Sequence, residues 1–340
     1  MIRSLFGPFL FVVLGIALGV GLDQVRHAVA PPEDIDMENV RLQRLLRYSD
    51  RIEALSVGNS HSLSVDMKAM DLSGFHMWMR GQDLFEVESL LAYLLPRLPK
   101  LNTVFFTVSF SSFHRDNGAC TDAERGMVRS LFYASSPHLG MIGYDPLNYF
   151  KGLMTHGLVT ADHWQPVLGA LERRLQGHEK PKRQYLDMMS ADGQLSIAGT
   201  KDQPARSHSW LVKEAATRTL PLHQRLQDNM LENNPNLETD AVACMERIIA
   251  LLKQYHVRAI FFTPPYYPAY TQGVEAATRE AMQAHMTRFV DKFGIEYHDF
   301  SRDPELANDP ANFVDSGHMS PLGAKRFSGE RLKPLLQAQQ

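Results

Sequence analysis

The sequence predicts an α/β protein in which a parallel sheet is flanked by helices in three layers, preceded by one transmembrane helix. Three observations support this prediction. Short apolar runs alternate with helical patterns whose apolar residues recur every three or four positions. The middle runs are apolar on both faces, as expected of parallel strands that are covered by helices on both sides. The chain also begins with a long uncharged apolar segment.

That first segment, Ser4 to Leu22, is long enough to cross a hydrocarbon core of about 30 Å as a helix. Arg3 precedes it and a mostly acidic stretch follows it, which favours an amino terminus on the inside. We therefore expect an anchor over residues 1–27 that spans the membrane once, with the body on the outer side. The alternative is a signal peptide that is cleaved after Ala28-Val29-Ala30, although Pro31 follows at once.

A linker and an amphipathic stretch over 28–50 lead to the domain that we expect over 51–340. Strands are predicted at Ala54–Val57, Gly74–Met77, Thr103–Ser109, Val257–Thr263 and Ile295–Phe300. Helices are predicted at Leu84–Leu98, Thr239–Gln254 and Gln272–Phe293. Right-handed crossovers then place the helices on both sides of the sheet.

The regular alternation of strands and helices is interrupted at about 113–238, and we interpret this interval as an insertion. It contains helical patterns at Asp122–Tyr133 and Trp164–Leu175 and a hairpin pattern at Tyr185–Ala198. Two interpretations fit this interval. One is a substrate wall over the carboxyl ends of the strands, and the other is a purely structural excursion.

Composition limits the partners and cofactors. The 35 basic and 38 acidic residues give a net charge of -3, and no block of Lys or Arg indicates nucleic-acid binding. Cys120 and Cys244 are too few for a metal cluster, and a disulfide between them depends on their distance. No cofactor is expected. The histidines without metal-like spacing are His61, His76, His114 and His138, and they are assigned ordinary structural or surface roles.

Ser60 follows the first predicted strand, in Leu55-Ser56-Val57-Gly58-Asn59-Ser60-His61-Ser62. Open α/β sheets bind ligands at the carboxyl ends of their strands. A helix that begins there offers backbone N–H groups to a developing oxyanion. Taken alone, Ser60 fits either a nucleophile or a helix cap.

Asp315 and His318 lie three residues apart near the other end of the chain. Within a turn, this spacing lets the carboxylate accept a hydrogen bond from the Nδ1–H of the imidazole, so that Nε2 can act as a general base. Ser320 and Pro321 are suited to begin a closing helix, which would hold this turn. Taken alone, the pair also fits a hydrogen-bonded surface contact.

Together, the Gly-x-Ser turn after the first strand and the late Asp-x-x-His resemble blocks I and V of the SGNH (GDSL-like) hydrolase family. The resemblance spans most of the chain after the amino-terminal segment. It implies a three-layer, flavodoxin-like parallel sheet and a catalytic triad of Ser60, Asp315 and His318.

The resemblance also implies an oxyanion hole, for which the candidates are Ser60, Gly81 and Ser109. Gly74 is the alternative to Gly81, and Ser111 is the alternative to Ser109. The family normally has a Gly-x-Asn-Asp turn after the third strand, whereas this chain has Val108-Ser109-Phe110-Ser111-Ser112.

The turn Thr263-Pro264-Pro265-Tyr266-Tyr267 narrows the resemblance, together with the amino-terminal segment and the unusual third block. Similar features occur in membrane-anchored, D-alanine transfer protein-like members of the family, which accompany polysaccharide or teichoic-acid acylation. The resemblance implies ester hydrolysis or acyl transfer on a cell-envelope glycan or acylated carrier, with a multispanning membrane acyltransferase as a partner. Tyr266 and Tyr267 are candidates for substrate binding, and a rigid aromatic turn is the alternative.

Two other functional hypotheses stay open from the sequence. The first is a catalytically degenerate SGNH domain that binds a glycan or serves as a scaffold in an envelope assembly complex. The second is an unrelated α/β protein in which Ser60 and His318 do not meet. The distance between these two side chains separates the second hypothesis from the others.

Overall fold

The computed structural model describes residues 41–79, 81–117 and 206–338, together with Gly21, Cys120 and Gln176 as single positions. The chain divides into two units, and the three described ranges belong to the unit formed by Val40–Cys120 and Tyr185–Gln340. The expected anchor over 1–27 and the patterns predicted between 122 and 198 lie outside the described residues. Within those residues, no helix is both long enough and apolar enough to cross a membrane.

Five parallel strands form the sheet, in the order β2-β1-β3-β4-β5. The strands are β1 (Ala54–Val57), β2 (Gly74–His76), β3 (Thr103–Thr107), β4 (Arg258–Thr263) and β5 (Glu296–Asp299). A separate antiparallel hairpin pairs β6 (Phe313–Asp315) with β7 (His318–Met319). The predicted α/β class and the predicted parallel sheet are confirmed, and the strand bounds agree within two residues.

Helices flank the sheet. They are α1 (41–47), α2 (Leu84–Leu94), α3 (His208–Glu214), α4 (Leu220–Asn233), α5 (Leu237–Gln254), α6 (Pro268–Gly273), α7 (Ala276–Phe293), α8 (Pro321–Phe327) and α9 (Lys333–Gln337). Two π-helical segments, Ala215–Thr219 and Ser328–Leu332, join α3 to α4 and α8 to α9. Short 3₁₀ segments are Ser60–Ser64, Lys68–Met70, Leu95–Arg97, Ser112–His114 and Pro310–Asn312.

Two predicted helices differ from the observed ones. The helix predicted over Leu84–Leu98 becomes a 3₁₀ segment at Leu95, where Pro96 lacks the N–H that an α-helix needs. The helix predicted over Gln272–Phe293 is wrong at its start, because α6 ends at Gly273 and α7 begins only at Ala276. The two intervening residues have extended backbone, and glycine is a weak helix former.

The two faces of the sheet pack separately because side chains alternate along each strand. β1 and β3 are buried at every position, as expected of central parallel strands. On one face, Phe106 and Phe261 are in ring contact. The other face joins a core that also includes the β6–β7 hairpin and α8, and it contributes Ala54, Phe105, Ile260 and Phe262.

β1 pairs with β2 on one side and with β3 on the other. The chain therefore runs from β1 to β2 on one side of β1 and then crosses back to β3 on the other side. This reversal makes the carboxyl edge between β1 and β3 a topological switch point. Doubly wound sheets bind their ligands at this place, because the two crossovers diverge there and leave a crevice. The fold positions the residues that follow β1 and β3 at this crevice.

Candidate active site

Ser60, His318 and Asp315 form a continuous chain of hydrogen bonds. Ser60 Oγ lies 2.8 Å from His318 Nε2, although the two residues are 258 positions apart. On the other side of the imidazole, Nδ1 lies 2.9 Å and 3.1 Å from the two carboxylate oxygens of Asp315. A nucleophile, a general base and a carboxylate that orients the base require this arrangement.

Asp315 is held in its ionised form. Its Oδ1 accepts hydrogen bonds from the backbone N–H groups of Gly317 at 2.9 Å and His318 at 2.8 Å. Burial raises the pKa of this carboxyl. The charge of His318 and the hydrogen bonds of its neighbours lower the pKa by more, so that it lies well below the usual range. A carboxylate only accepts hydrogen bonds. His318 therefore carries a proton on Nδ1, and its Nε2 accepts the hydrogen bond from the hydroxyl of Ser60.

The turn that carries Ser60 requires glycine at its first position. Gly58 has φ +120°, and a Cβ at this position would lie 3.0 Å from Thr107 O and 3.1 Å from Ser62 Oγ. Residues with a side chain rarely adopt this backbone conformation. The atom nearest to the Cβ position is a backbone oxygen at the end of β3, which cannot move aside easily. The chain can therefore turn sharply at the end of β1 only because residue 58 has no side chain.

Asn59 fixes the residue that follows it. Its Oδ1 accepts a hydrogen bond from His61 N at 3.0 Å, which caps the 3₁₀ segment Ser60–Ser64. Its Nδ2 donates to Ser109 Oγ at 2.9 Å. The nucleophile turn is thus connected to the loop after β3 by a buried side-chain hydrogen bond.

The turn that carries His318 is fixed at its two middle residues. Ser316 N and Ser316 Oγ donate to Glu214 Oε2 at 3.0 Å and 2.7 Å. On the opposite side, Tyr267 N donates to Ser316 O at 3.1 Å. Gly317 O accepts from His61, and Gly317 N donates to Asp315 as described above. Ser316 and Gly317 therefore each have a hydrogen-bond partner on another element of the fold.

His61 packs on the imidazole of His318. The two rings are stacked, with centroids 4.7 Å apart and an interplanar angle of 13°. His61 Nδ1 lies 2.8 Å from Gly317 O, and because a carbonyl only accepts, Nδ1 carries the proton. Burial lowers the pKa of His61 well below its usual value, and the nearby His318 and His223 lower it further. His61 is therefore neutral near pH 7 and does not repel a protonated His318.

Gly74 and Gly81, the two glycine candidates for the oxyanion hole, lie at opposite ends of β2. Gly74 is the first residue of that strand, at the amino edge of the sheet. Gly81 follows the carboxyl end and has φ +63°. The segment before it runs beside the nucleophile turn, because Met79 N donates to Gly58 O at 3.2 Å. Gly81 rather than Gly74 therefore lies at the edge of the sheet that carries the serine.

The first asparagine after β3, Asn117, supports the Gly81 turn. Its Nδ2 donates to Gly81 O at 2.9 Å and to Glu86 Oε2 at 3.0 Å. Its backbone N–H donates to Asp83 Oδ2 at 2.7 Å. Asp83 and Glu86 also form the capping box of α2. The buried polar network thus fixes the orientation of the peptide at Gly81.

Ser109 lies in the loop that follows β3. The residue is 1% exposed. Its Oγ accepts the hydrogen bond from Asn59 and lies 3.2 Å from Ser112 Oγ and 3.5 Å from Ser111 Oγ. Because Asn59 is the donor in the first contact, the hydroxyl proton of Ser109 is directed to another acceptor.

Tyr266 and Tyr267 are buried, with 0% and 2% exposure. The ring of Tyr266 meets His61 edge-on, with centroids 5.0 Å apart. The ring of Tyr267 contacts Phe313 at the start of the β6–β7 hairpin. Both rings are therefore occupied by contacts with residues beside the triad. This packing favours the rigid aromatic turn over the stacking of either ring on a sugar.

Cys120 and Cys244 are not joined to each other, so the disulfide that the sequence left open is not formed. Cys244 Sγ donates to Glu88 Oε2 at 3.1 Å, and burial raises the pKa of this thiol. Among the residues that the structure describes, no three His, Cys, Asp or Glu side chains are grouped to hold a metal ion.

His61 and Glu214 were not predicted from the sequence as residues of the site. His61 was assigned an ordinary role, although its position directly after a candidate nucleophile placed it near any base that reaches Ser60. Glu214 lies in the interval that was interpreted as an insertion. A recognisable signal was the four-residue spacing of Leu211 and Ala215, and of Leu226 and Met230, which are all buried.

Fold and site together define an α/β protein with a Ser–His–Asp constellation at the switch point of its sheet. No family model and no curated protein matches this chain. Its function is therefore inferred from the geometry and chemistry of the site.

Proposed function

We propose that the protein is an SGNH-type serine esterase or O-acyltransferase that acts on an ester of a cell-envelope glycan or of an acylated carrier. The hydrogen-bonded chain from Ser60 through His318 to Asp315 carries this proposal. The strand order 2-1-3-4-5 supports the assignment to the SGNH class, as does the position of the serine at the end of β1.

In the first half of the reaction, Ser60 Oγ attacks the carbonyl carbon of the ester while His318 Nε2 takes the hydroxyl proton. The ionised Asp315 stabilises the imidazolium that forms. The tetrahedral intermediate then breaks its bond to the alcohol oxygen, which receives the proton from Nε2, and an acyl group remains on Ser60. In the second half, water or a sugar hydroxyl attacks this acyl group, with His318 again as the base.

The negative oxygen of the tetrahedral intermediate needs hydrogen-bond donors at the carboxyl edge of the sheet. The backbone N–H groups of Ser60 and Gly81 are the proposed donors. Within the described residues, neither of these N–H groups donates a hydrogen bond to the protein. The hydroxyl of Ser109 is the third proposed donor, in place of the usual asparagine.

A cleft of about 250 Å³ is the proposed place for a substrate group, and aromatic side chains separate it from the triad. Its wall begins at Phe110, whose ring contacts Tyr266, which in turn contacts His61. Its lining is mostly apolar and neutral polar, with one carboxylate, Glu275, and this mixture suits an acyl group or a sugar ring. Its lining includes Phe110, Leu220, His223, Gln224, Gln227 and Tyr270.

The proposed setting of this reaction is the outer side of a bacterial inner membrane. It rests on the uncharged segment Ser4 to Leu22 and on the turn Thr263-Pro264-Pro265, which resemble those of membrane-anchored family members. A multispanning acyltransferase that delivers the acyl group is the proposed partner.

The test is hydrolysis of p-nitrophenyl acetate by the full chain, purified in mild detergent. Wild type is compared with Ser60→Ala and His318→Ala, which remove the nucleophile and the base. We expect both variants to lose more than about 10³-fold in kcat, because members of a triad act as one unit. Ser73→Ala and His298→Ala are matched controls at the amino edge of the sheet and on β5, and we expect wild-type rates for both.

Covalent labelling separates an inactive site from a transferase that lacks its donor. A fluorophosphonate forms a bond between its phosphorus and Ser60 Oγ, with loss of fluoride, whenever the serine is activated. Mass spectrometry should locate the label on Ser60 of the wild type and should find none on His318→Ala. If the folded wild type neither hydrolyses the ester nor takes the label, the catalytic proposal is wrong, and the alternative of a glycan-binding or scaffolding domain is favoured.

A further inference from the structure

Glu214 is a buried carboxylate that contacts the catalytic turn but does not contact the triad. It is 6% exposed and stands at the end of α3. Its Oε2 accepts hydrogen bonds from both the N–H and the hydroxyl of Ser316, and its Oε1 accepts from Thr219 Oγ1. Ser316 is itself completely buried. Water cannot replace Glu214 as its partner without a change in the packing.

The π-helical segment Ala215–Thr219 brings two of these residues together. In a regular α-helix, residues three or four apart are neighbours, and residues five apart are not. A π-helical turn is closed by i to i+5 hydrogen bonds, and Glu214 and Thr219 are separated by five positions. The irregular turn therefore lets Thr219 hold one oxygen of the carboxylate while the other oxygen holds the catalytic turn.

The position of Ser316 explains what this contact controls. Ser316 lies between the two triad members Asp315 and His318, and its carbonyl is held from the opposite side by Tyr267 N at 3.1 Å. Displacement of Ser316 would shift Asp315 Oδ1, which receives two backbone N–H groups of the same turn as well as His318 Nδ1. The distance between Asp315 and His318 thus depends on Ser316.

We propose that Glu214 is a positioning residue of the serine acyl-transfer site. It fixes the backbone of Ser316 and thereby holds Asp315 and His318 at hydrogen-bond distance. This inference rests on the proposed function for its effect on rate, although the effect on geometry is independent of turnover. Small misplacements of catalytic groups can lower the rate by about 100-fold.

The test compares Glu214→Ala with Glu214→Gln in the full chain. Alanine leaves the buried N–H and hydroxyl of Ser316 without an acceptor, so we expect kcat for p-nitrophenyl acetate to fall by about 10- to 100-fold, with KM changed by less than about twofold. Glutamine can accept from Ser316 with its Oε1 and donate to Thr219 with its amide. We therefore expect kcat of this variant within about threefold of wild type. Glu246→Ala, which removes an ion-paired carboxylate on α5, is the matched control with wild-type kinetics.

A second measurement reports geometry without turnover. In histidine-labelled protein, the proton on His318 Nδ1 should give a downfield NMR resonance, which the variant His318→Gln assigns by its absence. We expect this resonance in wild type and Glu214→Gln, and its loss or upfield shift in Glu214→Ala. The inference is overturned if Glu214→Ala keeps both the resonance and the wild-type kcat, or if Glu214→Gln is as impaired as Glu214→Ala.

The two measurements also separate the inference from the proposed function. If neither the wild type nor any variant hydrolyses the ester, the proposed function fails. The resonance alone then decides whether Glu214 positions the turn. If Glu214→Ala does not fold, Ser316→Ala removes only the hydroxyl contact. A fall in kcat of about three- to tenfold with a shifted resonance then supports the inference, and an unchanged enzyme contradicts it.

Discussion

Ser60 and His318 belong to two regions that are built differently. The turn after β1 is a continuation of the central strand, and its shape follows from Gly58, the cap residue Asn59 and the adjacent strand β3. The β6–β7 hairpin lies outside the five-stranded sheet and is a pair of very short strands. Its turn is held by side chains and backbone groups from α3, from the 3₁₀ segment after β1 and from the turn after β4.

This difference indicates how each region should respond to substitution. A short hairpin is not stable alone, so the position of His318 depends on the elements that contact the hairpin. The nucleophile turn depends on backbone conformation and is sensitive to any side chain at residue 58. Single substitutions that disturb one region and spare the other test this comparison.

Asp315→Asn should have the largest effect, because it changes the electrostatics of the hairpin while preserving its shape. An amide can present its NH₂ to His318, which favours the tautomer that cannot accept the proton of Ser60. We expect kcat to fall by about 10³- to 10⁴-fold, by analogy with the loss of the carboxylate in other triads. Ester hydrolysis measures the rate, and an unchanged unfolding midpoint checks the fold. A loss of less than about tenfold would contradict the role of Asp315.

Gly58→Ala disturbs the nucleophile turn. The added Cβ would lie 3.0 Å from Thr107 O in a backbone conformation that alanine rarely adopts. We expect the free energy of unfolding to fall by about 1–3 kcal/mol, and the ester hydrolysis rate to fall as well. Gly329→Ala is the matched control, because nothing lies within 4 Å of its Cβ position. Equal denaturant midpoints for the two variants would show that the turn is not constrained as described.

Ser109→Ala tests the third oxyanion donor. We expect kcat to fall by about tenfold at unchanged KM, a loss of about 1.4 kcal/mol of transition-state stabilisation. Ser111→Ala removes the neighbouring hydroxyl, and its kcat is expected to stay within about threefold of wild type. If Ser111→Ala is the more impaired of the two in steady-state kinetics, the donor has been assigned to the wrong serine.

His61→Asn should change how stability depends on pH. The folded state lowers the pKa of His61, so at pH values below about 6.5 the unfolded chain binds a proton more readily than the folded one. Stability therefore falls as pH drops from about 6.5 towards the folded-state pKa. Asparagine retains an N–H donor for Gly317 O but does not titrate.

We expect the decrease in thermal midpoint between pH 7.5 and pH 5 to be smaller for His61→Asn than for wild type. His256→Asn replaces an exposed histidine on the loop before β4 and is the control for the replacement of a histidine as such. An identical decrease in wild type and His61→Asn would mean that His61 does not remain neutral in the folded protein.

Local sequence patterns were sufficient for the sheet, and they singled out Ser60, Asp315 and His318, which the structure brings together. The bounds of β1 were predicted at Ala54–Val57 because a short apolar run ends at the glycine of a turn. Asp315 and His318 were paired because a spacing of three residues is suited to a contact within one turn, and this contact is observed. Both patterns depend on residues close together in the sequence.

The residues that hold the site in place could not be predicted from such local patterns. Tyr266 and Tyr267 looked like candidates for sugar stacking, but their rings are buried because His61 and Phe313 pack against them from distant parts of the chain. The α3 and α4 helices lie in the interval that was interpreted as an insertion, and the π-helical segment between them disturbs the regular helical spacing.

The sequence by itself determined the α/β class, the order of the strands along the chain and the residue types that can act as nucleophile, base and orienting acid. The tertiary structure alone decided that Ser60 meets His318 across 258 positions and that Glu214 holds the turn between them. The physical reason is the range of the interactions. Periodicity and turn chemistry act over a few residues, whereas a buried carboxylate finds its partners only when distant elements pack together.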